Sequence, residues 1–185
     1  MRSLLLVLLL GFAVASPAAA QAEQGYEFFA GLNYAQLDVG DPAGEPDAVG
    51  WQGSITEYLS SWFGLGADFA GHYGDAASPP GVTDVHVELY SFLFGPRVRV
   101  LNTDAFTVSG HALFGAASGN AEQFDEIDFA ATKFAYALGG AVDWNVTDRL
   151  AWRVIQPEVL TTTFGGATQR TFRVATGLAY RFSGI

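Results

Sequence analysis

The sequence contains no cysteine, a single lysine (Lys133) and few charged residues of any kind. The absence of cysteine excludes disulfide bridges, thiol catalysis and cysteine-based metal centres, and also the lipid-modified cysteine of a lipoprotein. No apolar run reaches the roughly 20 residues that a membrane-spanning helix requires. Charged residues make up only 15 % of the chain, while aromatic residues make up 14 % and glycine occurs 22 times. This composition argues against an ordinary solvated surface and against a helical membrane protein.

Basic residues are also too few for binding to nucleic acid. The formal net charge is −10 at neutral pH, and no basic patch is evident. Acidic residues are concentrated in three turn-rich stretches, residues 41–47, 74–84 and 118–129, which contain no Lys or Arg. We therefore expect no nucleic-acid partner and three acidic loops.

The N-terminus has the three parts of a secretory signal. A basic start at Arg2 is followed by the apolar run Leu4 to Val14 and by small residues that include Ala18 and Ala20. We expect cleavage after Ala20, so that residues 1–20 form the signal peptide and residues 21–185 form one domain. An uncleaved anchor helix is the alternative.

Apolar and small residues alternate in the rest of the chain, most clearly between Arg170 and Phe182. Here one row of alternate residues is almost wholly apolar and ends in Tyr180 and Phe182, and the other row is small or cationic. Period-two alternation is typical of a strand with two different faces. The same pattern predicts eight strands, over residues 26–38, 48–56, 62–73, 84–100, 105–117, 132–144, 149–160 and 170–182. We expect a bulge near Pro157, where the alternation loses its phase.

The two rows are inverted relative to a soluble barrel. A soluble sheet directs its large apolar row to the core and its polar row to water. Here the second row is Gly, Ala, Ser and Thr with sparse charges, which suits an enclosed interior and leaves the large row for lipid. Strands in lipid must close into a barrel because every peptide group needs a partner. The predicted fold is therefore all-β: a closed antiparallel eight-stranded transmembrane up-and-down barrel, with a secreted soluble barrel as the alternative.

Charged and polar residues on the small row predict a network in the interior. An eight-stranded barrel is only wide enough for its own side chains, and buried charges need partners. We expect this network to block the lumen as a structural element, and a gate or proton path is the alternative. The residues that we assign to it are Asp68, Arg97, His111, Asp143, Arg153 and Arg173.

Aromatic residues near strand ends predict the girdles that membrane barrels place at the interfaces. Beside the short turns these are Trp62, Trp144, Tyr58 and Phe182. Tyr73 and Phe129 lie beside the long loops.

The signal peptide, the alternating strands and the terminal GLAYRF together resemble small eight-stranded bacterial outer-membrane barrels of the OmpA transmembrane-domain and OmpX type. In that class the last strand carries the signal for the outer-membrane assembly machinery, and Gly177, Tyr180 and Phe182 match its pattern. Ala175 stands where a polar residue is usual, and the chain continues past the final aromatic to Ile185. The resemblance implies location in the outer membrane of a Gram-negative bacterium, and contact with lipid, lipopolysaccharide and the assembly machinery.

Few residues offer chemistry. Ser109 and His111 share a strand face, and the lipid A deacylases of the outer membrane use a Ser/His pair that faces lipid. Here the phase turns both residues inward, where no substrate has access. His72 and His86 lie on neighbouring strands, and the acidic loops would suit calcium chemically, but no metal-binding spacing is present.

The sequence therefore predicts a monomeric outer-membrane barrel with a structural and surface-interaction role. We expect no enzymatic activity, no metal and no cofactor. A narrow passive channel is the second hypothesis, and a lipid A-modifying enzyme is the third.

Overall fold

Eight antiparallel strands form the whole of the described fold. The computed structural model describes residues 25–37, 47–76, 85–122, 131–164 and 167–183. The strands are β1 (Gly25–Gln36), β2 (Asp47–Tyr58), β3 (Phe63–Ala76), β4 (Val85–Asn102), β5 (Phe106–Glu122), β6 (Ala131–Asn145), β7 (Leu150–Phe164) and β8 (Ala167–Ser183). The predicted signal peptide, most of each acidic loop, Phe129 and the last two residues lie outside the described residues.

Each strand pairs with its neighbours in sequence, and β1 pairs with β8, which closes the barrel. Turns at residues 59–62, 103–105 and 146–149 meet at one end, together with Gly25 and its partner Ser183. We call this the short-turn end, and the opposite end, where the acidic segments connect the strands, the long-loop end. The closed antiparallel eight-stranded barrel predicted from the alternation is confirmed.

The outer surface of the barrel is apolar. Leu32, Phe94 and Val100 expose 72 %, 62 % and 74 % of their surfaces, and large apolar side chains of all eight strands are similarly exposed. In the described residues no helix is long and apolar enough to cross a membrane. The outward row therefore has the character of a surface that meets lipid, while closure pairs the strand backbones.

A bulge in β7 changes which residues face inward. Arg153 pairs with Gly177, but the next pair joins Gln156 to Ala175, so Val154 and Ile155 both oppose Thr176. Two residues on one strand against one on the other define a β-bulge. The Thr176 hydroxyl donates to the Arg153 carbonyl oxygen at 2.9 Å, which holds the distorted segment.

Several strand limits differ from the prediction. The segment 161–168, predicted as a loop, is mostly strand, because β7 continues to Phe164 and β8 begins at Ala167. Threonines supply much of this extension, and their β-branched side chains favour extended backbone. Strand β5 likewise continues to Glu122, within the predicted acidic loop.

Tyr58 was wrongly assigned to the aromatic girdle. Strand β2 continues in phase past Thr56, so the Tyr58 ring lies inside the barrel and is only 2 % exposed. Trp62, Trp144, Tyr73 and Phe182 are exposed on the outer surface, as the prediction requires.

An apolar cluster fills the interior toward the long-loop end. Where a strand contributes to both this cluster and the interior charged residues, the residues of the cluster are the ones nearer the long-loop end. Its members are Ala35, Leu37, Ala48, Leu89, Leu93, Leu113, Ala117, Ala135, Ala137 and Leu160. Apolar side chains therefore fill much of the interior toward the long-loop end, beside buried polar residues such as His72 and Thr171.

Candidate functional site

The interior of the barrel contains all six residues that the sequence assigned to a polar network. None exposes more than 7 % of its surface. These residues are Asp68, Arg97, His111, Asp143, Arg153 and Arg173. The structure divides them between two clusters, one centred on Arg153 and the other on Arg173.

The Arg153 cluster lies nearer the short-turn end. Arg153 donates from Nε to Asp143 Oδ1 at 2.7 Å and from Nη2 to Glu27 Oε1 at 2.7 Å. Its Nη1 donates to Gln156 Oε1 at 2.9 Å, and its guanidinium carbon lies 4.4 Å from the centre of the Phe29 ring. Three acceptor side chains and an aromatic face therefore surround one arginine that has no exposed surface.

Arg181 completes this cluster from strand β8. It donates to Glu27 Oε2 at 3.0 Å and to Asp143 Oδ2 at 3.3 Å, so each carboxylate joins two arginines. Arg181 also donates to Asn145 Oδ1 at 2.7 Å, which ties the cluster to the end of β6. Charge-assisted, multiply bonded guanidinium groups of this kind are the strong form of the interaction.

Arg97 and Arg99 have weaker partners. Their closest described carboxylate is Glu27, with N–O distances of 3.7 Å for both. The Arg99 guanidinium lies 3.4 Å from the centre of the Tyr58 ring, a cation–π contact. Nε of both arginines and Nη1 of Arg97 are buried without a hydrogen-bond partner in the described part of the chain.

The Arg173 cluster lies closer to the long-loop end along β7 and β8. Arg173 donates to Glu158, to Ser91 Oγ at 3.0 Å and to Asp68 Oδ1 at 3.3 Å. This one side chain therefore links strands β3, β4, β7 and β8 across the lumen. Gln52 extends the cluster by donating to Asp68 Oδ2 at 2.8 Å.

His111 joins the Arg173 cluster through Glu158. Its Nε2 lies 2.7 Å from Glu158 Oε2, which fixes Nε2–H as the donor to a carboxylate. Gly139 makes room for this contact, because a Cβ at that position would lie 2.9 Å from both His111 Nε2 and Glu158 Cγ.

Sequence reasoning missed four charged members of the network. Three of them could have been assigned to the interior from the alternation, because they occupy the same alternate positions as the Gly and Ala residues of their strands. These three are Glu27, Arg99 and Arg181. Glu158 has the opposite parity to Arg153, and only the bulge at Val154 and Ile155 turns both inward. That bulge was expected near Pro157, a few residues too late to reveal Glu158.

The candidates for catalysis and metal binding are buried or incomplete. Ser109 and His111 lie in the interior, and no hydrogen bond joins them in the described structure. His72 is fully buried, and its Nδ1 lies 3.4 Å from the Leu89 carbonyl oxygen. The His86 side chain lies outside the described residues. Within the described ranges, no group of three His, Cys, Asp or Glu residues is placed to hold a metal ion.

The three residues of the predicted assembly signal lie on β8. Tyr180 and Phe182 are exposed on the outer surface with ring centres 4.5 Å apart, and Phe182 meets Phe28 edge-to-face at 5.5 Å. Gly177 pairs with Gly31 on β1, where a side chain would collide with backbone.

Solved structures that are similar to this chain include outer-membrane barrels. Ail, the attachment invasion locus protein of Yersinia pestis, has a TM-score of 0.61 at 19 % identity, over 86 % of this chain and 99 % of that one. Neisserial surface protein A has a TM-score of 0.68 at 11 % identity, over 85 % and 97 % of the two chains. The outer membrane protein OprG of Pseudomonas aeruginosa has a TM-score of 0.51 at 12 % identity, over 88 % and 98 %.

No protein-family model and no curated protein matches the sequence. The structural likeness, at these identities, concerns the fold. It confirms the predicted resemblance at that level: the chain has the fold of the small eight-stranded transmembrane barrels of the outer membrane.

Proposed function

We propose that the chain is an integral outer-membrane protein whose role is structural and interactive, with a lumen blocked by its own side chains. The apolar outer row supports contact with membrane lipid and the lipid part of lipopolysaccharide. With eight strands, both ends of the barrel domain lie on the periplasmic side, at the short-turn end, and the acidic loops face the exterior.

The observation that carries the blocked lumen is how completely it is filled. The Arg153 cluster lies toward the short-turn end, whereas the Arg173 cluster is interleaved with the apolar cluster, since Ser91, which accepts from Arg173, lies between Leu89 and Leu93 on β4. A permeating ion would have to separate buried ion pairs and pass leucine side chains such as Leu93 and Leu113, both about 1 % exposed or less. Either step is costly in a low-dielectric interior.

Planar bilayer recording tests this proposal against the narrow channel. The purified full-length chain is inserted at 1 M KCl beside a porin as the positive control, and insertion is verified by the heat-dependent gel mobility of recovered protein. We expect no unitary conductance steps from the wild-type protein. Reproducible steps that persist across preparations would establish the channel instead.

The acidic loops define the class of external partner that we propose. Ail has been solved in complex with the heparin analogue sucrose octasulfate. The long loops of this chain contain acids and no Lys or Arg, so they disfavour polyanions and favour cationic surfaces by charge complementarity.

Retention of the vesicle-embedded protein on cationic and on heparin surfaces tests this partner class. We expect salt-sensitive binding only to the cationic surface, reduced by the triple substitution Asp125→Asn, Glu126→Gln and Asp128→Asn. Lys133→Gln is the control. It neutralises a positive charge instead of negative charges, so it should not reduce binding to the cationic surface. Binding to heparin, or binding unaffected by the triple substitution, would contradict the proposal.

We propose no catalytic role for Ser109 and His111. Support comes from the burial of both side chains and from the engagement of His111 by Glu158. Expression of the wild-type chain should leave lipid A unchanged by mass spectrometry. A modified lipid A that disappears in Ser109→Ala and His111→Ala variants would establish the enzyme.

Recognition by the assembly machinery is proposed for the end of β8. The outward placement of Tyr180 and Phe182 beside the closing pair of strands supports it. Replacement of Phe182 by Ala should lower the fraction of heat-modifiable protein in the outer membrane. The control is Phe106→Ala, an equally exposed aromatic near the same end of the barrel.

A further inference from the structure

A cavity of about 750 Å³ opens at the short-turn end of the barrel. Arg99, Arg149 and Arg181 line it, together with Asn145 and Tyr58. Arg149 is exposed at the rim, whereas Arg99 and Arg181 are only 14 % and 17 % exposed. The cavity therefore has two nearly buried guanidinium groups at its inner surface.

Positive charge is in excess in this part of the interior. Among the described residues, four arginines, Arg97, Arg99, Arg153 and Arg181, lie within ion-pair distance of two carboxylates, those of Glu27 and Asp143. Both oxygens of Glu27 already accept hydrogen bonds from Arg153 and Arg181. The Arg173 cluster has the opposite balance, with Glu158 and Asp68 around one arginine.

Two arginines of this group, Arg99 and Arg181, line the cavity, and Arg99 is the less completely paired of the two. Its Nε–H has no hydrogen-bond partner in the described part of the chain, and its nearest described carboxylate is 3.7 Å away. An incompletely paired guanidinium at this depth is costly. The Arg99 Nε atom is itself buried, so an anionic ligand in the cavity would act on the rest of the guanidinium and reduce the charge excess.

We propose that this cavity is a binding site for a small oxyanion of the phosphate type, held by Arg99 and Arg181. Guanidinium groups match the geometry of phosphate oxygens with paired N–H donors. The exposed rim of the cavity also carries two acids, Asp104 and Asp148. The positive potential is therefore strongest further inside, next to Arg99 and Arg181. That arrangement favours a small anion over a polyanion, and the site is independent of the acidic loops at the other end.

Titration followed by NMR tests the site in the full-length chain. The Nε–Hε resonances of arginine are recorded in zwitterionic micelles as sodium phosphate replaces sodium chloride at constant ionic strength. We expect saturable shifts of Arg99 and Arg181, while Arg173 does not move. The titration of the wild-type protein is enough to refute the proposal. Shifts of equal size at Arg173, or shifts of Arg99 and Arg181 that do not saturate, would overturn it.

Two variants and one control sharpen this test. Arg99→Gln removes the charge, and Arg99→Lys keeps the charge above Tyr58 but loses the paired donors. Loss of one charge-assisted pair should weaken phosphate binding about tenfold or more. Lys133→Gln changes an exposed residue at the other, long-loop end of the barrel and should leave the affinity unchanged. Unchanged affinity in both Arg99 variants would contradict the site.

A second arm distinguishes a free anion from a lipid headgroup. The protein is placed in nanodiscs of phosphatidylcholine or phosphatidylglycerol without added phosphate. The Arg99 resonance should shift between these nanodiscs if an anionic headgroup enters the cavity. A shift with inorganic phosphate only would assign the site to a free anion, and no shift under either condition would refute it.

Discussion

Glu158 is the residue on which the stability of the Arg173 cluster depends most. Its two carboxylate oxygens accept from Arg173 and from His111 Nε2, and the residue is 2 % exposed. Glu158→Gln keeps the shape of the side chain but removes the negative charge. Among the described residues, Arg173 then retains one carboxylate partner, Asp68 at 3.3 Å, besides the neutral acceptors Ser91 at 3.0 Å and the introduced amide oxygen.

The expected cost follows from the uncompensated charge. Removing one partner of a buried ion pair costs about 3–5 kcal/mol. With a urea slope of about 2 kcal/mol/M, which is ordinary for a small protein, a loss of about 4 kcal/mol lowers the unfolding midpoint by about 2 M. The matched control is Glu57→Gln, the same chemical change at an exposed residue of β2, which should alter the free energy of unfolding by less than about 0.5 kcal/mol.

Equilibrium unfolding in urea measures this effect for the barrel folded into lipid vesicles, with tryptophan fluorescence as the probe. The double variant Glu158→Gln with Arg173→Met removes both charges of the pair. Because the two residues are in contact, we expect its cost to fall below the sum of the single costs by about 0.5–3 kcal/mol. Strict additivity, or a Glu158→Gln midpoint equal to that of Glu57→Gln, would refute the reasoning.

Two further predictions concern the packing of the interior and the lipid face. Gly139→Ala should destabilise the barrel by about 1–3 kcal/mol in the same assay, because its Cβ would lie 2.6 Å from the Pro157 carbonyl oxygen and 2.9 Å from atoms of His111 and Glu158. Gly53→Ala is the control, since its Cβ would meet only a backbone oxygen at 3.6 Å, and an equal cost for both would contradict the packing argument. Phe94→Arg, in the middle of β4, should cost about 2–4 kcal/mol, while Val100→Arg near its end should cost about 0–1 kcal/mol. Equal costs at the two depths would argue against a bilayer around the barrel.

Alternation was sufficient to predict the fold and most inward positions. On β3 and β8 the phase is unbroken, so the inward placement of Asp68 and Arg173 could be predicted directly from the sequence. The bulge in β7 broke this rule, because two consecutive outward residues reverse the parity of everything that follows. Glu158 was therefore not predicted, although it is the acid that Arg173 and His111 share.

Pairing across the lumen depends on geometry that a single sequence does not contain. Arg153 and Glu27 are 126 positions apart, and only strand tilt and closure bring their side chains within 2.7 Å. The interior leucines were missed for a different reason. Leu93 occupies the alternate positions that otherwise hold small residues. In the sequence, a large apolar side chain at such a position looks like a break in the alternation, although in the structure it fills the interior.

The central claim is that the apolar outer row is embedded in the outer membrane around a closed barrel. Membrane fractionation combined with gel mobility before and after boiling tests it most directly. We predict that the chain is recovered in the outer-membrane fraction and that its unboiled form migrates differently from its boiled form. Recovery in the soluble periplasmic fraction without detergent, with no heat-dependent shift, would contradict the claim.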